Sequence, residues 1–197
     1  TKCGSCLEAQ ETFDNLPVKN TVSWNALIAG YGQLGQAKSI RYFLNKMVAQ
    51  GIMADSVTFL GLLSTCSHAG LVEEGQIVVK YMHDVGRLTP TLEHYTCMVD
   101  LFARTGHLDK TFAAIKEMPM NACVEAWSTL LGACRNWGNM NIGRVAFEHA
   151  TLLDEKHVAA YVCMWNIYVV AYIQENTEQE LNGVHMEFRN VIQAEDQ

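Results

Sequence analysis

The sequence has little proline, with only Pro17, Pro90 and Pro119 in 197 residues. Each falls where a helical pattern ends, as expected of a residue that cannot continue a helix and that biases its predecessor away from helical angles. No run of about 18 apolar residues occurs, which argues against a membrane-spanning helix. Basic charge is also scarce: 14 Lys and Arg stand against 21 Asp and Glu, for a net charge of −7. A generic basic surface for nucleic acid is therefore not expected. Any such binding has to rest on local hydrogen bonds and stacking.

No compact cysteine frame is present. The seven cysteines, Cys3, Cys6, Cys66, Cys97, Cys123, Cys134 and Cys163, are scattered and odd in number. That pattern reads as reduced thiols in a reducing compartment. No P-loop, Gly-rich dinucleotide loop or Ser/His/Asp order appears. Cys3-Gly-Ser-Cys6 is half a zinc site with no second close pair, so the two thiols are expected in a helix turn and core and no metal is assigned. His185-Met-Glu187 matches the start of a deaminase signature, but no Pro-Cys-x-x-Cys follows to hold a metal, and the match is set aside. The chain has no initiator Met or leader and begins within a repeat, so it is expected to be a piece of a longer protein.

What the sequence does have is apolar content, at 49%, ample for a buried core. That content is periodic. Aromatic anchors stand at Trp24, Phe59, Tyr95, Trp127 and Tyr161, spaced by 35, 36, 32 and 34 residues. Eleven residues after each of the first four comes a glycine: Gly35, Gly70, Gly106 and Gly138, with Gly4 extending the series backwards. Periods of this length mark a repeat array. Trp24, Leu27, Ile28 and Tyr31 lie on one helical face, as do Phe59, Leu62, Leu63 and Cys66, then Tyr95, Met98, Val99 and Phe102, then Trp127, Leu130, Leu131 and Cys134. Tyr161, Met164, Trp165 and Tyr168 begin a further copy, with Tyr172 where glycine is due. The segment Gly32 to Gly35 reads as a turn.

Two further columns support this register. Five residues after each glycine stands Ala9, Ile40, Gly75, Thr111 or Gly143, mostly small, where two helices of a hairpin are expected to approach closely. Ile40 should widen or tilt its hairpin. Twelve residues after each glycine stands Leu16, Met47, Met82 or Met118, with Ala150 breaking the column. The fold class expected is all-α, an α-solenoid of stacked helix-turn-helix hairpins.

The units are not of one length, which separates them from a 34-residue tetratricopeptide array. The stretches KCGSCLEAQETFDNLP, NTVSWNALIAGYGQLGQ, VTFLGLLSTCSHAGLVEEG, EHYTCMVDLFARTGHLDK, EAWSTLLGACRNWGNMNIG and YVCMWNIY resemble pentatricopeptide repeat proteins. The likeness is to the plant PLS class, with its alternating long and short motifs. It covers about residues 1–172 and implies a right-handed superhelix. It divides the chain into a partial short (S-type) repeat at 1–20, a P-type repeat at 21–55, an L-type repeat at 56–91 and an S-type repeat at 92–123. Residues 124–157 resemble the first extension motif, and residues 158–197 a partial or diverged second one with a tail.

The resemblance implies binding of single-stranded RNA, one base per repeat, read by the fifth and last residues of each unit from a groove lined by the first helices. The complete pair is Asn25 with Asp55, which in the family reads uracil. Leu60 with Thr91 is assigned no base. Thr96 stands at a purine-favouring position, with Cys123 where Asp or Asn is expected. Asn20 is a last residue whose mate lies upstream, and Ser128 with His157 is left unread. The second residue of each unit wedges between bases when aliphatic, as at Val22 and Val57. Glu93 and Glu125 stand at the same position and would repel phosphate. No catalytic residue and no cofactor is implied. The implied parent is a mitochondrial or chloroplast RNA-processing factor, acting in C-to-U editing with a deaminase supplied in trans through residues 124–197. The alternative is a protein-interaction scaffold with little RNA binding of its own.

Overall fold

The computed structural model describes residues 2–33, 40–119 and 123–174, with side chains placed for 8–32, 42–119 and 123–174. Within them every regular element is a helix: α1 (Lys2–Asp14), α2 (Thr21–Gln33), α3 (Ile40–Ala49), α4 (Ser56–Ala69), α5 (Val72–Asp84), α6 (Leu92–Arg104), α7 (Leu108–Lys116), α8 (Val124–Trp137) and α9 (Met140–Leu153). Residues 158–174 form a further helix, α10. None is long and apolar enough to cross a membrane.

The helices pair as hairpins α2–α3, α4–α5, α6–α7 and α8–α9, with α1 against α2. First helices pack on one another in series, α2 on α4, α4 on α6 and α6 on α8, and form one layer. The second helices form the other. The chain is thus an α-solenoid of stacked hairpins, each unit burying its apolar face against its neighbours. Glycines end the first helices at Gly70 and Gly138, with φ of 67° and 69°, a left-handed conformation at little steric cost only for glycine.

The aromatic period has a packing cause. Trp24 is 2% exposed and stands edge-on between Phe13 of α1, at 4.6 Å, and Phe43 of α3, at 6.3 Å. Trp127 does the same between Phe112 of α7, at 5.9 Å, and the stacked ring of His149 on α9, at 4.1 Å. An anchor on a first helix therefore fills the seam between the second helices of its own unit and the preceding one. Such edge-to-face pairs add about 0.5–1.5 kcal/mol beyond area burial. The indole N–H of Trp24 is satisfied by Gln50 Oε1 at 3.3 Å.

Two anchors behave differently. Tyr95 is half-buried: its ring packs on the core, while burial and then the charge of Glu117 hold the pKa of its hydroxyl above the usual phenol value. The buried place beside it goes to His94, 1% exposed. On α10 the expected face is corrected. Ala160, Met164 and Ile167 are buried, whereas Tyr161, Trp165 and Tyr168 are 47%, 69% and 49% exposed. The inner half of α10 meets α9, where Phe147 and Tyr161 lie 5.1 Å apart. Its outer half has no first helix stacked on it among the described residues.

The glycine register also needs correction. Gly4 lies inside α1 and ends no helix, unlike Gly70 and Gly138. Gly32 is helical, and the reason for it is close approach: a Cβ there would stand 2.2 Å from Thr65 Oγ1 of α4. The small-residue column acts between units as well as within hairpins. A Cβ on Gly75 would meet Leu101 Cδ2 of α6 at 2.5 Å, and Cys66 Cβ of its own hairpin only at 3.6 Å. A Cβ on Gly143 would meet Ile167 Cδ1 of α10 at 3.0 Å. Met47, Met82, Met118 and Ala150 are buried as that column requires, while Leu16 is 37% exposed. The side chains of Cys3, Cys6 and Ile40, the turn at Gly35, and the His185 segment lie outside the described residues.

Gly32→Ala is expected to lower stability by about 1–3 kcal/mol through overpacking, against a helix-propensity gain of about 1 kcal/mol. Gly32→Ala with Thr65→Ala should recover most of the loss in thermal unfolding. A single variant as stable as the native chain would contradict the close approach of α2 and α4.

Candidate nucleic-acid interface

The layer of first helices carries the fifth residue of each unit, and the last residue sits at the N-cap of the next first helix. This places Asn25 and Asp55 together. Asn25 Nδ2 donates to Asp55 Oδ1 at 3.2 Å. A third residue closes the cluster. Thr58, fully buried, has its hydroxyl 2.7 Å from Asn25 Oδ1 and 2.8 Å from Asp55 Oδ1. Its backbone N–H donates to Asp55 Oδ1 at 2.8 Å, and the Asp55 N–H donates to Thr58 Oγ1 at 3.1 Å. That reciprocal pair is a capping box on α4. Asp55 is at once the cap of one helix and the partner of a residue on the previous first helix.

The amide of Asn25 is thereby oriented. Its nitrogen faces a carboxylate and its oxygen faces a hydroxyl, so a flipped amide would set oxygen against oxygen. One Nδ2 hydrogen and one Oδ1 lone pair remain uncommitted. On either side stand Val22, 74% exposed, and Val57, 59% exposed. Burial works to raise the Asp55 pKa, but the hydrogen bonds from the Thr58 amide, the Thr58 hydroxyl and Asn25 outweigh it and hold the carboxyl below its ordinary 3.8.

The other units differ in chemistry while sharing the positions. Asn20 and Ser23 form the same box at the start of α2, with both backbone bonds at 2.9 Å. Thr91 and His94 form it at α6. His94 Nδ1 accepts from the Thr91 N–H at 3.2 Å, and its Nε2–H donates to the Ser56 carbonyl at 3.0 Å. Leu60 offers Thr91 nothing polar. Thr96 gives its hydroxyl to the Leu92 carbonyl of its own helix at 2.9 Å, and Cys123 turns to Glu125. Both line a cavity of about 380 Å³ between α4, α6 and α8, but among the described residues no hydrogen bond joins them. Ser128 and His157, left unread in the sequence, are bonded, with Oγ and Nε2 2.9 Å apart.

Charge across this layer is graded. Glu93 and Glu125 lie in the first turns of α6 and α8, beside the Asp55 end of α4. His68, Arg104 and Arg135 lie in the last turns, where a helix favours cations. Asp100 accepts from Ser67 of the neighbouring helix and takes Arg104 Nε at 2.8 and 2.9 Å. That ion pair is exposed and worth at most about 1 kcal/mol. The thiols are quiet. Burial, then Glu74, pushes Cys66 up to about 12, and burial pushes Cys134 up to about 11. They pack as small apolar groups.

Thr58, His94 and the Ser67–Asp100–Arg104 chain are invisible to hydrophobic periodicity, which marks apolar faces only. The capping pattern Asp55-x-x-Thr58 was the available signal. A carbon-detected NMR titration should place the Asp55 carboxyl midpoint below 3.8, and Thr58→Val should raise it while costing about 1 kcal/mol of stability. Because the folded value is the lower one, this contribution is complete above the unfolded value. It disappears as pH falls through the folded value. A native midpoint at or above 3.8 would contradict the cluster.

Comparison with known proteins agrees with this architecture. A PPR repeat family model matches residues 19–68, and a PPR repeat model matches residues 93–123. A putative pentatricopeptide repeat-containing protein of Arabidopsis thaliana is 41% identical over 167 residues, covering 85% of this chain and 22% of that protein. A chloroplastic one from the same plant is 37% identical over 193 residues, covering 98% and 22%. The chain thus spans about a fifth of the length of these relatives. Among solved structures, that of the pentatricopeptide repeat protein PPR10 from maize has a TM-score of 0.67 at 17% identity, covering 84% of this chain and 24% of that one. The PPR domain of Arabidopsis thaliana protein-only RNase P 1, solved in complex with tRNA, has a TM-score of 0.59 at 18% identity, covering 77% and 83%. With its repeats matched in sequence and its hairpins stacked in the same way, the chain belongs to the pentatricopeptide repeat family.

Proposed function

We propose that this chain is a non-catalytic, sequence-reading segment that binds single-stranded RNA through its first helices. The observation that carries this is the Asn25 amide, oriented by Asp55 and Thr58 and flanked by exposed Val22 and Val57. A pre-set amide with one donor and one acceptor free matches the N3–H and an adjacent carbonyl of uracil. The two valines offer apolar surface to the faces of a base held between them. Asn20, Thr96 and Cys123 occupy equivalent positions in the neighbouring units and complete the path. Thr96 and Cys123, lacking a mutual bond, contribute weaker selection.

In this reading the parent belongs to the PLS class, residues 124–157 are the first extension motif, and residues 158–197 begin a second. The parent works in an organelle, chloroplast or mitochondrion, in keeping with relatives named chloroplastic. It selects sites for C-to-U editing, with the deaminase brought in trans by residues 124–197. A second reading, a protein-interaction scaffold, is favoured by Leu60 at a reading position and by the exposed aromatic face of α10.

Fluorescence anisotropy at low salt, where electrostatics helps binding most, separates the two. RNA reading predicts that Asn25→Ala weakens binding at one uracil by roughly 1–3 kcal/mol and abolishes preference for it over other bases. Undetectable binding of any single-stranded RNA supports the scaffold. Binding whose base preference is the same before and after the substitution removes Asn25 as the reader.

A further inference from the structure

We infer that the aromatic edge of α10 is a docking surface whose occupant is a later segment of the same chain, residues 177–191. The inference concerns protein packing and does not depend on RNA reading.

α10 is apolar on two sides. From Val158 to Gln174 it carries no charged residue. Ala160, Met164 and Ile167 bury one side, while Tyr161, Trp165 and Tyr168 form an exposed row on another, at steps of four and three. A helix that is apolar all round is normally enclosed, and a contiguous exposed apolar patch marks a contact surface.

The interior units show what belongs there. Trp165 is 69% exposed, yet its equivalents Ile28, Leu63, Val99 and Leu131 are all buried. Tyr168 is exposed, whereas Cys66, Phe102 and Cys134 at the same place are buried. Each of those helices has the second helix of its own hairpin beside it. On α10 the side towards the preceding unit is filled: Tyr161 meets Phe147 of α9 edge-on at 5.1 Å, as Trp24 meets Phe13 and Trp127 meets Phe112. On the other side Phe43 meets Trp24 and His149 meets Trp127. Among the described residues Tyr161 has no ring contact of that second kind.

The chain beyond α10 supplies the occupant. Residues 175–197 lie outside the described residues and follow α10 directly, and a link of two to eight residues is usual between the helices of a hairpin. Their sequence places Thr177, Leu181, Val184, Phe188 and Val191 at steps of four, three, four and three, the spacing of one helical face. The same residues continue the register of the earlier units. With Tyr172 at the glycine position, Thr177 falls in the small column of Gly75 and Gly143, Leu181 in that of Leu44 and Ile115, and Val184 in that of Met47 and Met82. Glu180 breaks the column of Phe43 and Val78. A second copy or an outside protein on this face gives no reason for that register. A row covered by the chain itself is closed to an outside protein, so the scaffold reading loses the support it takes from α10.

The test uses the full chain labelled with fluorotryptophan, which carries four indoles. Trp24 and Trp127 are buried and Trp137 is exposed, so they calibrate the fluorine shift between light and heavy water, and Trp165→Phe assigns the fourth signal. The expected result, at concentrations where sedimentation shows a monomer, is a Trp165 solvent shift close to that of the buried pair. Nuclear Overhauser contacts from the Tyr161 or Trp165 ring to the Leu181 or Val184 methyls should accompany it. Leu181→Asp combined with Val184→Asp should raise the Trp165 solvent shift to that of Trp137 and leave Trp24 and Trp127 unchanged. A native monomer in which Trp165 responds like Trp137 overturns the inference. A Trp165 that stays protected in the double variant does the same, as does protection lost when a dimer is diluted to monomer, which assigns the face to a second copy. If the double variant fails to fold, the Overhauser contacts of the native chain decide, and their absence overturns the inference.

Discussion

One carboxylate oxygen ties two units together. Asp55 Oδ1 takes hydrogen bonds from the Thr58 N–H, which starts α4, and from Asn25 on α2. The cap that begins one helix is therefore the partner that orients a side chain on the one before. This works only because α2 and α4 lie close, and they lie close because Gly32 leaves room for Thr65. Backbone approach, helix start and amide orientation are one constraint seen at three levels.

The same layout recurs with different chemistry. In three units the last residue, Asn20, Asp55 or Thr91, caps the next first helix and the residue three further on answers it, whereas Cys123 makes no such bond. Asn25–Asp55 and Ser128–His157 are hydrogen-bonded across units, while Thr96 spends its hydroxyl on its own helix. Under the proposed function, with a net charge of −7, such local contacts rather than bulk electrostatics carry selectivity.

Much of the fold was legible in the sequence. The spacing of Trp24 and Trp127 follows from their place in seams between second helices, and Gly70 and Gly138 end helices as their spacing predicts. Gly32 was misread as a turn because a glycine needed for close approach looks the same in sequence as one needed for a left-handed bend. The exposed face of α10 was misread because periodicity marks an apolar face whether or not something covers it. At the site, Asn25 and Asp55 were legible only through family resemblance. Thr58 and His94 were not legible as buried polar groups, since apolar patterning carries no signal for them. The bond between Ser128 and His157 is likewise one that sequence spacing does not encode.

The proposed function rests on the Asn25 amide as an oriented, partly uncommitted group. Its side-chain NH₂ resonances offer a direct view. Titration of the chain with a uridine-rich single strand should shift one of the two Asn25 amide protons strongly, while the one facing Asp55 moves little; an adenosine-rich strand should leave both near their free positions. Equal shifts with both strands, or no shift with either while RNA binds elsewhere, would contradict it.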